Sequence, residues 1–387
     1  MLERRVGSGE TATIMASLDT AFATVPADAR SEEQDYLQMD MNISQAHNDG
    51  YYAVAKGIAD RVTQSDLAAQ FVGDCAADGD TSNDAECVDD FIRDFGLETM
   101  RRPLVDAEID FFRDEVYRES GPIDFEGVAD IITALLLSPE FTFRIENANP
   151  PLEGKTDVYP LSAFELASRL AFHFWQTAPD RELLDAAASG RLDTDEGYTA
   201  EVDRIFRDPR TEQAIDHFYE QWLDLESMPD MTAFVEQADF QAFAGDDLPD
   251  PELRENILQD TRNLLRYYTW LAEDGTLNDL FLSELSFAGS EDVAQLYGPD
   301  VPLYRAREPP GLLPAGQRAG LLTRVAMVAN NRPGTRPIKK GVFIRRRLMC
   351  DPLYLPEEVD AEIVEAQREL ENSTEATTTR ARVERIT

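Results

Sequence analysis

No apolar run in this chain approaches a bilayer crossing. The longest, Ile131-Ile132-Thr133-Ala134-Leu135-Leu136-Leu137, falls far short of the roughly 20 residues that a membrane-spanning helix needs. No basic segment followed by an apolar stretch opens the chain, so no signal peptide is visible. Cations are scarce: 36 Lys and Arg stand against 75 Asp and Glu, a net charge of −39, which repels nucleic acid and anionic membranes. Such a surface is either a solvated acidic coat suited to salty surroundings or a docking face for a cationic partner. Histidine is nearly absent, with His47, His173 and His217 alone, too few for a multi-histidine metal site, and no metal is expected. The familiar catalytic signatures are missing as well. There is no Gly-x-Ser-x-Gly, no Gly-x-x-x-x-Gly-Lys, no Gly-x-Gly-x-x-Gly and no Cys-x-x-Cys-His. Carboxylates are so many that no acid/base pair stands out. The residues by themselves specify no reaction.

There are three cysteines. Cys75 and Cys87 enclose a polar loop with little apolar content to hold it folded, and a disulfide between them is expected over two free thiols. Such a bond points to an oxidising compartment and leaves Cys350 unpaired or joined to something outside the chain. The enclosed loop places Asp78, Asp80, Ser82 and Asp84 at alternating positions, with Asp89 beyond, a pattern faintly like a calcium loop. Asn83 stands where the sharp turn wants Gly and Asp89 where a bidentate Glu belongs, so a solvated acidic loop is the preferred reading.

What the chain does have is helical periodicity nearly throughout. Apolar residues recur at helical spacing over 43–62, 84–95, 106–118, 125–137, 162–175, 181–188, 194–206, 210–225, 251–272 and 339–349. Ser138 and Pro139 read as N-cap and first position of a short helix. No strand alternation is convincing. The fold class is therefore mainly α: multi-helical, bundle-like domains joined by long Pro/Gly-rich connectors. His173, inside Leu170-Ala171-Phe172-His173-Phe174-Trp175, reads as a core histidine, and His217 as a surface one. Trp175 and Trp222 read as core, the latter sharing a buried face with Ile215, Phe218 and Tyr219.

Charge is unevenly spread. No acid occurs from Pro309 to Cys350, a stretch holding Arg318, Arg324, Arg332, Arg336, Lys339, Lys340, Arg345, Arg346 and Arg347. A basic strip in an acidic protein most simply docks on the acidic body. Arg336, Lys339, Lys340, Arg345, Arg346 and Arg347 are equally the candidates for holding a carboxylate or phosphate.

Several motifs in order carry a resemblance. They are Cys75…Cys87-Val88…Phe91-Ile92…Phe95-Gly96…Arg101-Arg102-Pro103-Leu104…Glu108, then Ser138-Pro139-Glu140-Phe141…Arg144, then Leu161-Ser162…Glu165-Leu166-Ala167-Ser168-Arg169-Leu170. Phe174-Trp175…Pro179-Asp180…Leu183-Leu184, Arg204…Asp208-Pro209-Arg210 and Phe218…Gln221-Trp222-Leu223 follow. The last are Arg318-Ala319-Gly320-Leu321-Leu322, Arg336-Pro337-Ile338-Lys339-Lys340-Gly341 and Leu348-Met349-Cys350. In order and spacing they resemble the family called domain of unknown function 1592, with its companions 1595 and 1588, over roughly residues 40–387.

The resemblance implies an exported protein, periplasmic or extracellular, of a family accompanied by c-type cytochrome modules. It implies a division into an N-terminal helical segment (1–72), a small helical domain like 1595 (73–146), a helical core domain like 1592 (147–298), and a basic segment and tail like 1588 (299–387). In such proteins a stretch like Thr379-Arg380-Ala381-Arg382-Val383-Glu384 shortly precedes a Cys-x-x-Cys-His, so a c-type haem is expected downstream of Thr387 and none within the chain. The expected role is a scaffold for that haem module, with the haem domain or another redox protein as partner. The alternative is a non-catalytic surface module that binds a glycan or a protein. A hydrolase would require a carboxylate pair held in a pocket.

Overall fold

The structure is a computed structural model and describes residues 1–27, 43–64, 67–118, 121–146, 149–246, 248–306, 308–329 and 337–351. It is mainly α. Among the described residues the strands are limited to one short antiparallel pairing, Leu285–Ser286 with Gly311–Leu312.

Local sequence sets the helix ends. Ser162 accepts from Glu165 N while the Glu165 carboxylate accepts from Ser162 N, a reciprocal cap that starts the Ala163–Trp175 helix. Asp124 caps the Phe125–Leu136 helix, and Ser138 followed by Pro139 opens Pro139–Thr142 as the sequence predicts. His47 lies in the first turn of the Gln45–Thr63 helix. Its ring accepts from Ser44 N while Ser44 Oγ accepts from His47 N, so it completes the cap of the Gln45–Thr63 helix.

The described residues form two compact units, one up to Ile215 and one from Asp216 onward. The first unit contains two apolar cores. In one, the stripe Val88, Phe91, Ile92 and Phe95 of the Asp84–Met100 helix meets Phe71, Ile131, Ile132 and Leu135. Each such fully buried side chain contributes about 1.5–3 kcal/mol. Arg5 lies across three of its rings, 5.3–5.4 Å from the centres of Phe71, Phe91 and Phe95. The Cys75–Cys87 disulfide closes on this core, with Cys87 only 2% exposed, and Cys350 is free and exposed. In the other core, Ala167, Leu170, Ala171 and Trp175 pack on Leu183, Ala186 and Ile205. His173 is exposed, against expectation. The buried face of its helix runs through 167, 170, 171 and 175, and position 173 falls on the opposite side.

The second unit is built on the Leu253–Arg266 helix, whose Ile257, Leu258, Leu264 and Leu265 pack against Leu280, Phe287, Val293 and Leu321. The helix runs on as a wider π turn over Tyr267–Leu271. Trp222 and Tyr219 pack half-buried at the edge of this core, while Phe218 is 49% exposed and stacks on Trp222 instead of entering the interior. No described helix is long and apolar enough to cross a membrane.

Candidate functional site

The basic segment folds as the Pro337–Phe343 helix and a π turn over Ile344–Leu348. Arg336 lies outside the described residues. Lys339 and Arg346 are exposed. Lys340 is half-buried and donates from Nζ to Leu322 O at 2.7 Å, and burial pushes its ammonium below the usual range. Arg345 pairs with Asp351, its Nε 2.9 Å from the carboxylate. Arg347 is buried and donates to Gln221 O at 2.8 Å, at the C-terminal end of the Pro209–Trp222 helix. Trp222 Nε1 donates back to Arg347 O at 2.8 Å. A helix end leaves its last carbonyls without partners and carries partial negative charge, and a guanidinium satisfies both needs. Lys340 and Arg347 are thus occupied by backbone carbonyls of their own unit, and Lys339 and Arg346 face solvent.

Behind this segment the second unit holds a fully buried ion pair. Arg324 and Asp260 are both 0% exposed, and Arg324 Nη1 stands 3.3 Å from Asp260 Oδ1. Tyr297 donates its hydroxyl proton to Asp260 Oδ2 at 2.5 Å and accepts from Val325 N at 3.3 Å. Arg324 also donates to Leu285 O, which ties the Leu285–Ser286 strand to the pair, while its Nε finds no acceptor. Burial pushes the Asp260 carboxyl above the usual carboxylate range, although Arg324 and the Tyr297 hydroxyl pull it the other way. Burial and the neighbouring carboxylate push the Tyr297 phenol well above its usual range. Arg318 stacks over the Tyr297 ring, 5.2 Å from its centre. The side chains of Arg324, Asp260 and Tyr297 are each tied to the helices and strand around them, so the geometry braces the second unit.

Neither Asp260 nor Tyr297 was singled out by sequence reasoning. One signal was present: Asp260 stands three residues after Ile257 and four before Leu264, an acid on an otherwise apolar stripe.

The first unit gathers motif residues that lie far apart in sequence. Trp175 is 5% exposed, donates from Nε1 to Ile205 O at 3.2 Å, and lies beneath two guanidiniums, Arg210 at 3.5 Å and Arg204 at 5.6 Å from the ring centre. Asp180 caps the Arg181–Ala188 helix through Leu183 N and accepts from Arg204 at 2.9 Å and Arg210 at 3.4 Å. Arg204 also reaches buried Glu201, and Arg210 reaches Asp208 at 2.7 Å. Burial alone would raise the Asp180 carboxyl, but the two arginines and the Leu183 amide outweigh it and hold it below the usual range. A further junction forms where Arg101 donates to the carbonyls of Glu140, Phe141 and Phe143 while Arg102 bridges Glu108 and Glu140.

Residues 161–298 match the family model of a protein of unknown function, DUF1592. The DUF1592 match takes in the Trp175–Asp180–Arg204–Arg210 cluster of the first unit and Asp260 and Tyr297 of the second. No curated protein matches the chain, and no solved structure does.

Among the described residues no group of three or more His, Cys, Asp or Glu side chains could hold a metal ion. Two acids of the disulfide loop are turned on the loop itself, Asp78 accepting from Asp80 N and Asn83 and Asp80 accepting from Ser82, while buried Asp84 accepts from Ile123 N outside the loop.

Proposed function

We propose that this chain is an exported helical scaffold that positions a c-type haem module in a redox or electron-transfer role. What carries the reading is how the DUF1592 region spends its charged groups. Asp180, Arg204, Asp208 and Arg210 satisfy one another, and Asp260 is locked to Arg324 and Tyr297, so these charged groups hold helices in place. Export is supported by the Cys75–Cys87 bond, because such bonds persist in oxidising compartments. The haem association rests on the resemblance of the flanking stretches to the companion domains, and the partner is a haem domain of the same polypeptide or a separate redox protein.

The test is export of the full-length gene product in a host that matures c-type cytochromes. Gels stained for covalent haem and a Soret band should both be positive. An exported, folded product with neither would refute the proposal. If that haem-free product were retained on a defined glycan or protein matrix, the surface binding module would replace it.

A further inference from the structure

The first unit holds an open cavity of about 470 Å³ that takes no part in the scaffold reading. Its position follows from a close approach of two segments. Arg101 adopts a left-handed conformation, φ 57°, at the end of the Asp84–Met100 helix, and the following residues fold back along that helix. Gly96 permits this, since a Cβ there would come within 2.4 Å of Leu104. Arg102, bridged to Glu108 and Glu140, holds the returning segment in place.

The apolar part of the cavity is Leu97, Leu104 and Ile109. Its charged lining has both signs. Arg181 and Asp94 pair with each other, and Asp94 is further shared with Arg4 and Arg5. Asp90, Arg93 and Asp106 line the same cavity and are exposed, and their side chains make no hydrogen bond or ion pair with another described residue. An exposed charge without a partner costs the fold nothing, yet three of them around an apolar floor form a defined pattern. Two guanidiniums disfavour a simple cation, and three carboxylates disfavour phosphate or any other bare anion. The lining is matched by a small molecule with an ammonium, a carboxylate and an apolar side chain. The volume lies toward the small end of the range for ligand sites, which suits a single amino acid or a dipeptide.

We propose that this cavity binds a zwitterionic amino acid or dipeptide with an apolar side chain. Its carboxylate faces Arg93 and Arg181, its ammonium Asp90 and Asp106, and its side chain lies on Leu97, Leu104 and Ile109. Guanidinium and carboxylate suit each other because two parallel N–H groups can meet two oxygens.

The experiment is a titration of the whole chain with L-leucine, L-leucyl-L-leucine, N-acetyl-leucine and leucinamide, read by amide chemical shifts and by calorimetry. Leucine or the dipeptide should saturate, with shifts confined to residues 90–109 and around 181, and the tighter of the two identifies the class. Blocking either terminus should weaken binding about tenfold or more, the scale of one charge-assisted contact. Arg93→Ala and Asp106→Asn should do the same, with melting temperatures unchanged because both side chains are exposed and unpaired. Absence of saturable binding would overturn the proposal. So would shifts elsewhere, equal binding of the blocked compounds, or undiminished binding by the two variants.

Discussion

Replacing Asp260 by Asn removes one charge from a pair that water does not reach, and leaves Arg324, 0% exposed, facing a neutral amide. Arginine cannot shed its proton at accessible pH. Breaking a buried pair from one side costs about 3–5 kcal/mol, and Asp260→Asn should lose that much from the second unit. Arg324→Met breaks the same pair from the side that can respond, because a carboxyl can take up a proton. The Asp260 carboxyl already lies above its ordinary value of 3.8 in the folded protein. Between the unfolded and folded values the folded state binds more protons, so stability falls as pH rises through that window and is level above it. Loss of Arg324 lifts the folded value further, and each added unit costs about 1.4 kcal/mol at pH above it. Stability should therefore go on falling to higher pH in Arg324→Met than in the unmodified protein, and this part of the slope should vanish in Asp260→Asn. Urea unfolding in a Trp175→Phe background isolates the emission of Trp222 and Trp270, both in the second unit. A cost below about 1 kcal/mol for Asp260→Asn, the worth of an exposed pair, would refute the reasoning. So would identical pH slopes in all three proteins.

Two shorter expectations complete the set. Intact-mass analysis after alkylation without reductant should show Cys350 labelled and Cys75 and Cys87 protected, and reduction should destabilise the first unit by about 3 kcal/mol, the worth of closing a loop of this length; labelling of Cys75 before reduction would contradict both the bond and export. Gly320→Ala should disrupt the second unit, since φ is 58° and a Cβ there would stand 1.9 Å from Phe281 O, whereas Gly9→Ala, with open space around it, should melt at or above the starting temperature.

The helices were legible wherever an apolar stripe and a cap agreed, as at Ser162-Glu165 before Ala167, Leu170 and Ala171. The Cys75–Cys87 bond was legible too, because the loop between them has nothing else to hold it. The short N-terminal helices Leu2–Val6 and Ser8–Ser17 were not, since each buries a single side chain and so shows no stripe. The two-residue strands were too brief to alternate. His173 was misread because apolar neighbours in a row were weighed in place of the face they occupy. The buried Asp260 network could not be assembled from spacing, since its partners stand 37 and 64 residues away. Motif order was a better guide. Arg101 and Arg102 meet Glu140 across about forty positions, as two stretches of one resemblance meeting in space.

The Trp222–Arg347 contact has a consequence for synthesis. The residues up to Ile215 form a compact unit of their own, so this half of the protein can close before the rest of the chain has emerged. Trp222 must wait for a partner 125 residues later. At about 5–20 residues per second that interval is roughly 6–25 seconds. Throughout it, the indole and the carbonyls of Gln221 and Trp222 are without the residue that covers them. The second half therefore keeps this edge uncovered for that interval as the chain emerges, and any expression clone that stops short of Arg347 makes that exposure permanent.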